Sequence, residues 1–445
     1  MPAADRAERR TPARRCGPCH RAAHCHPTRR RPGITDQDIS DAYIYLLGRA
    51  LVARQQALDQ AAGMGWNQLA HRKPGAVDWP NPNLDVAYSE AWVAVDEHSC
   101  TLVHVPKVTG LYYTVQFLNG WGETLANINE RLFPQHASGE FAVCLKGADV
   151  ALPAGTQRID LPVRYSRVLA RVELGDDPER AEALQHAFSL KATGQPALPT
   201  LPPVPAFEPP KLPGVELFEA APALLDSEAD LNAGMEKVQA KAREIAAAVK
   251  DAQVRSRVDA VIRDKAIKDF FAASPMLGHG TVRNGWARPK VVGTYEDDWL
   301  TRSLINEGGI WANTMDEVVY YKGNLDGDGQ PLSGDHVYTL TFPKGALPQD
   351  FARYFWSVIA VDDQRFRVLP NPRNRFLLNR QTHPQTAPNG SLTLYFAAQK
   401  PADAPDGNWL PTPRGQHYRL TFRFYGPQGG VADGSYFPPP LVKRS

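Results

Sequence analysis

Proline constrains this chain more than any other residue. The sequence has 39 prolines among 445 residues, about 9% against a usual value of roughly 5%, and eight of them lie between residues 196 and 213. Proline fixes φ and has no amide hydrogen, so it interrupts helices and is confined to turns and strand edges. Together with nine Trp and 15 Tyr, this frequency favours short strands and stiff turns over a helical bundle. The stretch 196–213 itself is expected to be an extended, stiff connector.

The first 33 residues differ in composition from the rest of the chain. They contain nine Arg, only two acidic residues, three of the five Cys, and no Val, Leu, Phe or Tyr. Such a segment buries too little apolar surface to offset the entropy of ordering, which predicts a disordered basic tail. Because the segment also lacks the apolar stretch of a signal peptide, we expect that it comes from a misassigned start or a frame change that replaced an export signal.

The charge outside this tail limits the classes of partner. The whole chain carries 50 Lys and Arg against 48 Asp and Glu, a formal charge of +2, of which the tail alone supplies +7. The other residues therefore hold 41 basic against 46 acidic side chains, or −5, and give no reason to expect a nucleic acid as partner. No stretch approaches the roughly 18 uncharged apolar residues of a membrane helix, so no membrane span is expected.

Apolar periodicity predicts a helix, then strands, then helices and strands again. Thr35 and Asp38 have the spacing of a capping box, and apolar residues recur at helical spacing over 36–61. Further helices are predicted at 226–273 and 295–306. Strand patterns occur at 84–95, 101–105, 111–118, 140–145 and 168–174, and again at 317–321, 336–342, 354–361, 391–397 and 418–425.

The order of these elements predicts an α+β, β-rich chain. We expect two β-sandwich or jelly-roll-like domains with an N-terminal helix and a helical insert. An apolar stripe from Leu231 to Val249 in the insert is expected to pack onto the neighbouring sheet or against a second subunit, which leaves a homo-oligomer as an alternative. The predicted boundaries are a tail at 1–33, an N-terminal domain at 34–195, a Pro-rich linker at 196–214, the helical insert at 215–310 and a C-terminal domain at 311–445.

The sequence lacks the common catalytic and cofactor-binding signatures. It has no G-x-S-x-G, no H-E-x-x-H, no P-loop and no dinucleotide-binding glycine pattern. The nine His outside the tail are scattered, without a pair at i, i+2 or i, i+4. No cofactor is therefore expected. Cys100 and Cys144 lie in predicted strands, where we expect buried thiols rather than nucleophiles or a disulfide.

One loop, at 324–335, has a spacing that suits a metal ion. Asn324, Asp326 and Asp328 occupy alternate positions, and Gly329 and a twelfth-position Asp follow, which resembles the calcium loop of an EF-hand. Against calcium, Asp at the twelfth place reaches less far than the usual Glu, and the flanking segments are predicted strands. Asn, Asp and Gly are also favoured in ordinary hairpin turns. We expect a plain turn, with a calcium site as the alternative.

Polar and aromatic residues cluster at the ends of the predicted strands. Aromatic rings beside Asn, Asp and Arg suit small polar or sugar-like ligands, which stack on the rings and form directional hydrogen bonds. The alternative is that the rings fill a sandwich core while their polar tips satisfy strand ends. The candidate ligand-binding residues are Asn83, Asp85, Tyr88, Tyr113, Gln116, Asn313, Arg375, Asn408 and Trp409.

Two sets of motifs give the chain a family resemblance. The N-terminal set is Asn83-x-Asp85-x-x-Tyr88-Ser89-x-Ala91-Trp92, Val105-Pro106 and Gly110-Leu-Tyr112-Tyr113-Thr-Val-Gln116-Phe117. The C-terminal set includes Trp356-Ser357-Val358, Asn371-Pro372-Arg373-Asn374-Arg375, Asn408-Trp409-Leu410-Pro411-x-Pro413 and Arg423-x-Tyr425. In combination they resemble bacterial proteins that pair two domains of unknown function, DUF1254 followed by DUF1214.

This resemblance implies a fold and says little about function. It implies β-sandwich or jelly-roll-like domains with helical additions, which agrees with the apolar pattern. Members of these families commonly begin with an export signal and are periplasmic or secreted, whereas this chain as written would be cytoplasmic. Val86 and Phe376 stand where the families usually have Thr and Tyr, and Val86 removes a hydroxyl from the candidate cluster.

Three functional hypotheses follow from these observations. The first is a soluble bacterial protein that binds a small polar or carbohydrate-like molecule through the candidate residues. The second is a hydrolase or lyase with Asp85 as acid or base, assisted by Tyr88 or Ser89. The third is an envelope structural or assembly protein, which predicts a large exposed apolar patch and an oligomer.

Overall fold

The computed structural model of the protein describes residues 33–77 and 79–444, and the predicted tail up to residue 32 lies outside them. Residues from Thr35 onward form one compact unit. The α-helices are α1 Asp36–Ala61, α2 Pro178–Ala187, α3 Glu216–Ser227, α4 Glu236–Ala248, α5 Ala252–Val261, α6 Ile267–Ala273, α7 Trp299–Gly308 and α8 Gly429–Asp433.

The strands cover most of the two segments where period-two patterns predict them. They are β1 Ala70–His71, β2 Val86–Ala94, β3 Thr101–Val105, β4 Tyr113–Leu118, β5 Thr124–Ile128, β6 Gly139–Leu145, β7 Gln157–Leu161, β8 Tyr165–Glu173 and β9 Ser189–Ala192 before the helical insert. After its first helices they are β10 Thr281–Arg283, β11 Trp286–Arg288, β12 Val318–Gly323, β13 Val337–Phe342, β14 Ala352–Asp362, β15 Leu377–Asn379, β16 Leu392–Ala397, β17 Trp409–Pro411, β18 Tyr418–Pro427 and β19 Val442–Arg444.

Helix α1 begins at the predicted capping box. The Thr35 hydroxyl accepts a hydrogen bond from the Asp38 amide (3.1 Å), and the Asp38 carboxylate accepts one from the Thr35 amide (2.9 Å). The residues from Ala42 to Ala53 are buried on every side because α3, α4 and α7 pack around them. The predicted helix at 36–61 is confirmed. None of the helices in the described part of the chain is both long and apolar enough to cross a bilayer.

Helix α4 corrects the prediction for the apolar stripe of the insert. Ala242 and Ile245 are buried, but α4 packs mainly against α1 and α3 and not onto a sheet. Leu231 lies before the helix and is 44% exposed. The predicted packing onto a sheet is wrong because the stripe indicates only that a face is buried, and one of its two helical partners, α1, lies about 200 residues earlier in the chain. Packing against a second subunit stays a prediction.

Two sheets form an N-terminal sandwich. The larger has the strand order β1-β2-β8-β4-β5, and the smaller has the order β7-β6-β3-β9. Alternate side chains of facing strands meet in the core, among them Ala91 and Val93 of β2 and Val103 and Val105 of β3. The core is mainly aliphatic.

A second pair of sheets forms a C-terminal sandwich. Its larger sheet has the order β10-β11-β12-β18-β14-β15, and its smaller sheet has the order β17-β16-β13-β19. The core is rich in aromatic rings, including Trp356, Phe422 and Phe424. Phe422 and Phe424 stack with their ring centroids 4.7 Å apart. The predicted α+β, β-rich fold with two β domains, an N-terminal helix and a helical insert is confirmed.

The cysteines of the N-terminal sandwich correct another prediction. Cys100 and Cys144 form a disulfide, so the expected free thiols are wrong. The antiparallel register of β3 and β6 pairs Thr101 with Val143, which places the two cysteines opposite each other with Cα atoms 4.4 Å apart. The pairing is invisible in the sequence because 44 residues separate the cysteines and only the sheet order makes their strands neighbours.

The larger sheets of the two sandwiches turn their outer faces toward each other. At one end of this interface Tyr112, Val86, Phe355 and Tyr425 pack together, and the rings of Phe355 and Tyr425 stack 4.0 Å apart. The Tyr112 hydroxyl donates a hydrogen bond to the buried carboxylate of Glu317 (2.9 Å). Beyond this contact the same two faces enclose a cavity.

Candidate ligand-binding cavity

A cavity of about 410 Å³ lies between the outer faces of the two larger sheets. Every second residue of the facing strands lines it, because successive side chains of a strand point to opposite faces. Segments 72–76 and 79–83, helix α7 and residues 308–313 close the other sides. The strand residues of the lining are Val86, Tyr88, Glu90, Arg167, Leu169, Arg171, Tyr320, Lys322, Val361, Arg419, Thr421 and Arg423.

Arg171 of β8 is a deeply buried base on the N-terminal wall, with 2% of its surface exposed. Its guanidinium donates to Gln116 Oε1 (2.6 Å), to Asn313 Oδ1 (3.1 Å) and to the Trp311 carbonyl (2.9 Å). It also lies 5.3 Å from the centre of the Tyr88 ring, a cation–π contact. All these partners are neutral, and among the described residues no carboxylate lies within 4.0 Å of it.

Lys322 of β12 is the corresponding base on the C-terminal wall. Its ammonium nitrogen donates to Asn81 Oδ1 and to Thr421 Oγ1 (2.8 Å), and it forms no ion pair within the described part of the chain. The ammonium is enclosed by protein, although part of the side chain faces the cavity. Burial lowers the pKa of Lys322 well below its usual range, and the positive charges of Arg423 and Arg419 lower it further.

Arg423 lies beside Lys322 and links the cavity to Asp85. One of its nitrogens donates to the Asn81 carbonyl (2.7 Å), and the side chain is 3% exposed. Asp85 is also buried and accepts a hydrogen bond from Asn379 Nδ2 (2.9 Å). Burial raises the pKa of Asp85, while Ser357, Asn379 and the Arg423 charge oppose that rise.

The acidic residues of the cavity are engaged at its other end. Arg167, which is 2% exposed, forms ion pairs with Asp59 (3.3 Å) and Glu90 (2.7 Å). Glu90 is shared with Arg72 at 3.0 Å. Asp59 also accepts a hydrogen bond from the indole nitrogen of Trp92 (2.9 Å). This end of the cavity is therefore electrically compensated.

Glu307 of α7 is the remaining acidic residue of the lining. It is 8% exposed, and burial raises its pKa to about 7, although the positive charge of Arg419 opposes the rise. Nearby, Trp311, Ile310, Leu304 and Leu169 supply an apolar wall. The cavity thus combines basic groups on two sheets with an apolar surface, as small-molecule sites commonly do.

Four of the candidate ligand-binding residues meet at this cavity. Asn83, Tyr88 and Asn313 line it, and Gln116 holds Arg171 from behind. Asn313 Nδ2 donates to the Tyr320 hydroxyl (3.2 Å), which connects the two walls. These four polar residues lie together, and their role in binding stays a prediction.

Other candidates lie elsewhere. Asp85 is buried between strands outside the cavity lining, and Ser89 points to the opposite face of β2, where its hydroxyl lies 2.7 Å from His71 Nδ1. Tyr113 points into the N-terminal core and donates to the Ala137 carbonyl. The acid–base role of Asp85 with Tyr88 or Ser89 stays a prediction; of the three, only Tyr88 borders the cavity.

Arg375, Asn408 and Trp409 form a separate cluster in the C-terminal sandwich. Arg375 pairs with Asp406 (2.7 Å), and Asn408 donates to the carbonyls of Gln385 and Thr393, each at 2.8 Å. The Trp409 indole donates to the Ala397 carbonyl (2.9 Å). These contacts connect a loop to strand β16, as the structural alternative for these residues predicts.

The loop at 324–335 is held by turn hydrogen bonds. Asp326 is buried, and its carboxylate accepts hydrogen bonds from the amides of Asp328 (3.0 Å) and Gln330 (2.8 Å). The Asn324 amide group donates to the Pro275 carbonyl (2.8 Å). Residues 33–77 and 79–444 contain no group of three or more His, Cys, Asp or Glu side chains placed to hold a metal ion. The calcium alternative stays a prediction.

The bases Arg167, Arg171, Lys322 and Arg423 were not among the candidates from the sequence. Arg171 and Arg423 occupy alternate positions of predicted strands whose other faces are apolar, and Arg167 and Lys322 lie one residue outside the predicted strands 168–174 and 317–321. That pattern is typical of a strand with one solvated face, so it indicates exposure and not a site. The sequence of β18 gives a stronger indication of a site, because Arg419, Thr421, Arg423 and Tyr425 share one face of that strand.

Together these observations define a class of protein with two β-sandwiches whose facing sheets enclose a basic cavity. The family model for "Protein of unknown function (DUF1254)" matches residues 66–192, and the model for "Protein of unknown function (DUF1214)" matches residues 317–429. The chain therefore belongs to the proteins that pair these two families in this order, and the predicted resemblance is confirmed.

Two solved structures are similar to this chain, and the first of them supports the same fold. The VPA0106 protein from Vibrio parahaemolyticus is 19% identical in sequence with a TM-score of 0.63, and the match covers 92% of this chain and 100% of that chain. A putative uncharacterized protein from Burkholderia cenocepacia is 14% identical with a TM-score of 0.45, over 90% of this chain and 87% of that chain. No curated protein matches this chain. The first structure shows that the two-domain arrangement occurs in a distant relative.

Proposed function

We propose that the protein binds a small polar organic molecule in the cavity between the two sandwiches. One observation carries this proposal. The outer faces of two sheets place charged and hydrogen-bonding side chains, including Arg171 and Lys322, around a cavity of about 410 Å³. Buried polar groups cost stability unless they are satisfied, and here several bases have only neutral partners. A ligand that supplies the missing partners accounts for that arrangement.

The contrast with the rest of the interface supports the proposal. Where the two sheets touch directly, at Tyr112, Phe355 and Tyr425, the contact is aromatic and closely packed. An interface with only a structural role gains nothing from a cavity beside this contact, because an empty space forfeits dispersion energy. The polar lining also suits a sugar-like ligand, which would stack on Tyr88 or Trp311.

The test is a ligand panel read by thermal shift and by tryptophan fluorescence, since Trp79 and Trp311 line the cavity. The panel contains monosaccharides, disaccharides, polyols, amino acids and organic acids. We expect at least one class to raise Tm in a concentration-dependent manner. Leu169→Trp, which fills the cavity from β8, should abolish that shift, and Leu169→Met is the matched control of similar volume to the native residue. A shift that survives Leu169→Trp in a folded variant places the ligand elsewhere and refutes the proposal.

We also infer that the protein folds in an oxidising compartment. The support is the Cys100–Cys144 disulfide, because such bonds form and persist mainly in exported proteins. Protein purified from its native source under alkylating conditions should show these two cysteines protected and joined in one peptide pair. Alkylation of both thiols in the native protein would contradict the inference.

A further inference from the structure

The cavity is basic although the chain outside its tail is acidic. Among the described residues that line the cavity, seven are basic and three are acidic. The chain beyond the first 33 residues carries a formal charge of −5, so its composition does not explain this excess. The bases of the lining are Arg72, Lys73, Arg167, Arg171, Lys322, Arg419 and Arg423, and the acids are Asp59, Glu90 and Glu307.

The acidic residues do not neutralise the middle of the cavity. Asp59 and Glu90 are held by Arg167, and Glu307 lies on α7 beside Arg419. Arg171 and Lys322 form no ion pair within the described part of the chain, and their hydrogen bonds end on neutral oxygens. The excess of positive charge is therefore concentrated where the two sheets face each other.

The contacts of Tyr320 show that Arg171, Lys322 and Arg423 surround one part of the cavity. Its hydroxyl accepts a hydrogen bond from Asn313 Nδ2, and Asn313 Oδ1 accepts a hydrogen bond from Arg171. On β12, Lys322 is two residues from Tyr320 and shares its face, and Arg423 is the cross-strand partner of Tyr320 on β18. Three basic side chains from the two sandwiches thus surround a single tyrosine.

We propose that the ligand of this cavity is an organic acid whose carboxylate is bound by Arg171, Lys322 and Arg423, an inference that rests on the proposed binding function. The carboxylate supplies the negative charge that the protein does not place there, and charge-assisted hydrogen bonds from Arg are the strongest available to it. The body of the acid lies against the apolar wall of Leu169 and Trp311.

The experiment compares each acid with its neutral amide of nearly the same shape. Hexanoate and hexanamide, phenylacetate and phenylacetamide, and adipate and adipamide are titrated into the full chain in Tris–chloride buffer, with binding measured by calorimetry. Phenyl phosphate and the sugars of the panel are added as further arms. We expect at least one acid to bind tenfold or more tightly than its amide.

Variants of the cavity residues test which side chains cause the preference for the acid over its amide. Arg171→Gln should remove most of the preference for the acid, Arg171→Lys should restore part of it, and Arg414→Gln, which removes an exposed arginine outside the cavity, should leave it unchanged. If Arg171→Gln fails to fold, Lys322→Gln on the facing sheet provides the same test. A persistent preference for the acid in both folded variants would overturn the assignment of these residues.

The outcomes separate this inference from the proposed function. If a sugar or an amide binds in the cavity and every acid binds no better than its amide, the ligand class is wrong and the binding function stands. Tighter binding of phenyl phosphate than of phenylacetate overturns the carboxylate assignment in favour of a phosphate ester. If no acid, amide, phosphate ester or sugar binds, both proposals are wrong.

Discussion

Arg167 and Arg171 lie four residues apart on the same face of strand β8, and both are 2% exposed. Arg167 has two carboxylate partners, Asp59 and Glu90. Arg171 has three neutral oxygen partners and no carboxylate partner in the described part of the chain. The two guanidiniums even share a neighbour, since Arg167 lies over the Trp311 ring and Arg171 donates to its carbonyl.

This difference distinguishes a structural charge, which is neutralised within the fold, from a charge that remains available to a ligand. A buried arginine that is matched by carboxylates is bound within the fold, and removal of either partner leaves the other uncompensated. A buried arginine held only by amide and carbonyl oxygens keeps its orientation and retains its net charge. The Arg167 end of the cavity therefore contributes to stability, and the Arg171 end is prepared for a negatively charged ligand.

The largest expected effect comes from Arg167→Met. The substitution removes the main partner of Asp59 and Glu90, which leaves Asp59 buried without a compensating charge. We expect the free energy of unfolding to fall by about 3–5 kcal/mol, measured by urea denaturation. Arg164→Met is the control, because Arg164 pairs with Glu97 at the surface, where solvent screens the pair and a much smaller loss is expected. Similar losses of stability in both variants would show that Arg167 stabilises the fold no more than a surface arginine does.

Glu307→Gln tests the one acidic residue of the cavity that lies apart from Arg167. Its pKa is raised to about 7 in the folded protein, whereas an unfolded Glu ionises near 4.3. Unfolding therefore releases a proton between these values, and the stability of the wild type should fall as the pH rises from about 4.3 to 7, by about 4 kcal/mol in total. The Gln variant lacks this pH dependence of stability, so its stability relative to the wild type should increase between pH 5 and pH 8. Parallel stability curves for the two proteins would contradict the buried-acid assignment.

Lys322→Met tests the uncompensated base on the other wall. Because burial and neighbouring charges lower the pKa of Lys322, the unfolded chain binds one more proton than the folded chain between the lowered pKa and about 10.4. Wild-type stability should therefore rise with pH in that window by up to about 1.4 kcal/mol per pH unit. The Met variant should lack this gain, so its stability should rise less with pH than that of the wild type.

The control for this slope is Lys73→Met, which removes an exposed lysine of the same cavity lining. The slope of stability against pH should be the same, within error, for Lys73→Met and for the wild type. Only Lys322→Met should have a flatter slope. If both variants have the same slope, the ammonium of Lys322 is not the group that titrates.

Local sequence signals predict the elements of this fold well, and the cavity poorly. Thr35 and Asp38 identify the start of α1 because a cap depends on residues three apart. Arg171 illustrates the limit. In the sequence it is a charged residue at an alternate position of a strand, which predicts a solvated face. Only the second sandwich, with Arg423 some 250 residues later, buries that face.

The same limit explains the disulfide and the misplaced candidates. Cys100 and Cys144 become neighbours through the pairing of β3 with β6, which no local pattern reports. Asp85 and Tyr88 lie three residues apart in one motif, yet Asp85 contacts Asn379 and Tyr88 contacts Arg171. A motif in the sequence specifies residues that are close along the chain, while the cavity depends on which faces of distant strands meet.

The smallest expected effect, and the one that completes the comparison, is that of Arg171→Gln on the unliganded protein. The substitution removes three hydrogen bonds, each worth about 1 kcal/mol, but it also removes a buried charge without an ionic partner, and the new amide can replace one of the lost bonds. These contributions oppose each other, so the free energy of unfolding should change by about 1 kcal/mol or less, again measured by urea denaturation. A loss as large as that expected for Arg167→Met would mean that Arg171 is a structural charge too. A small loss would mean that the neutral oxygens orient a charge on which the fold itself does not depend.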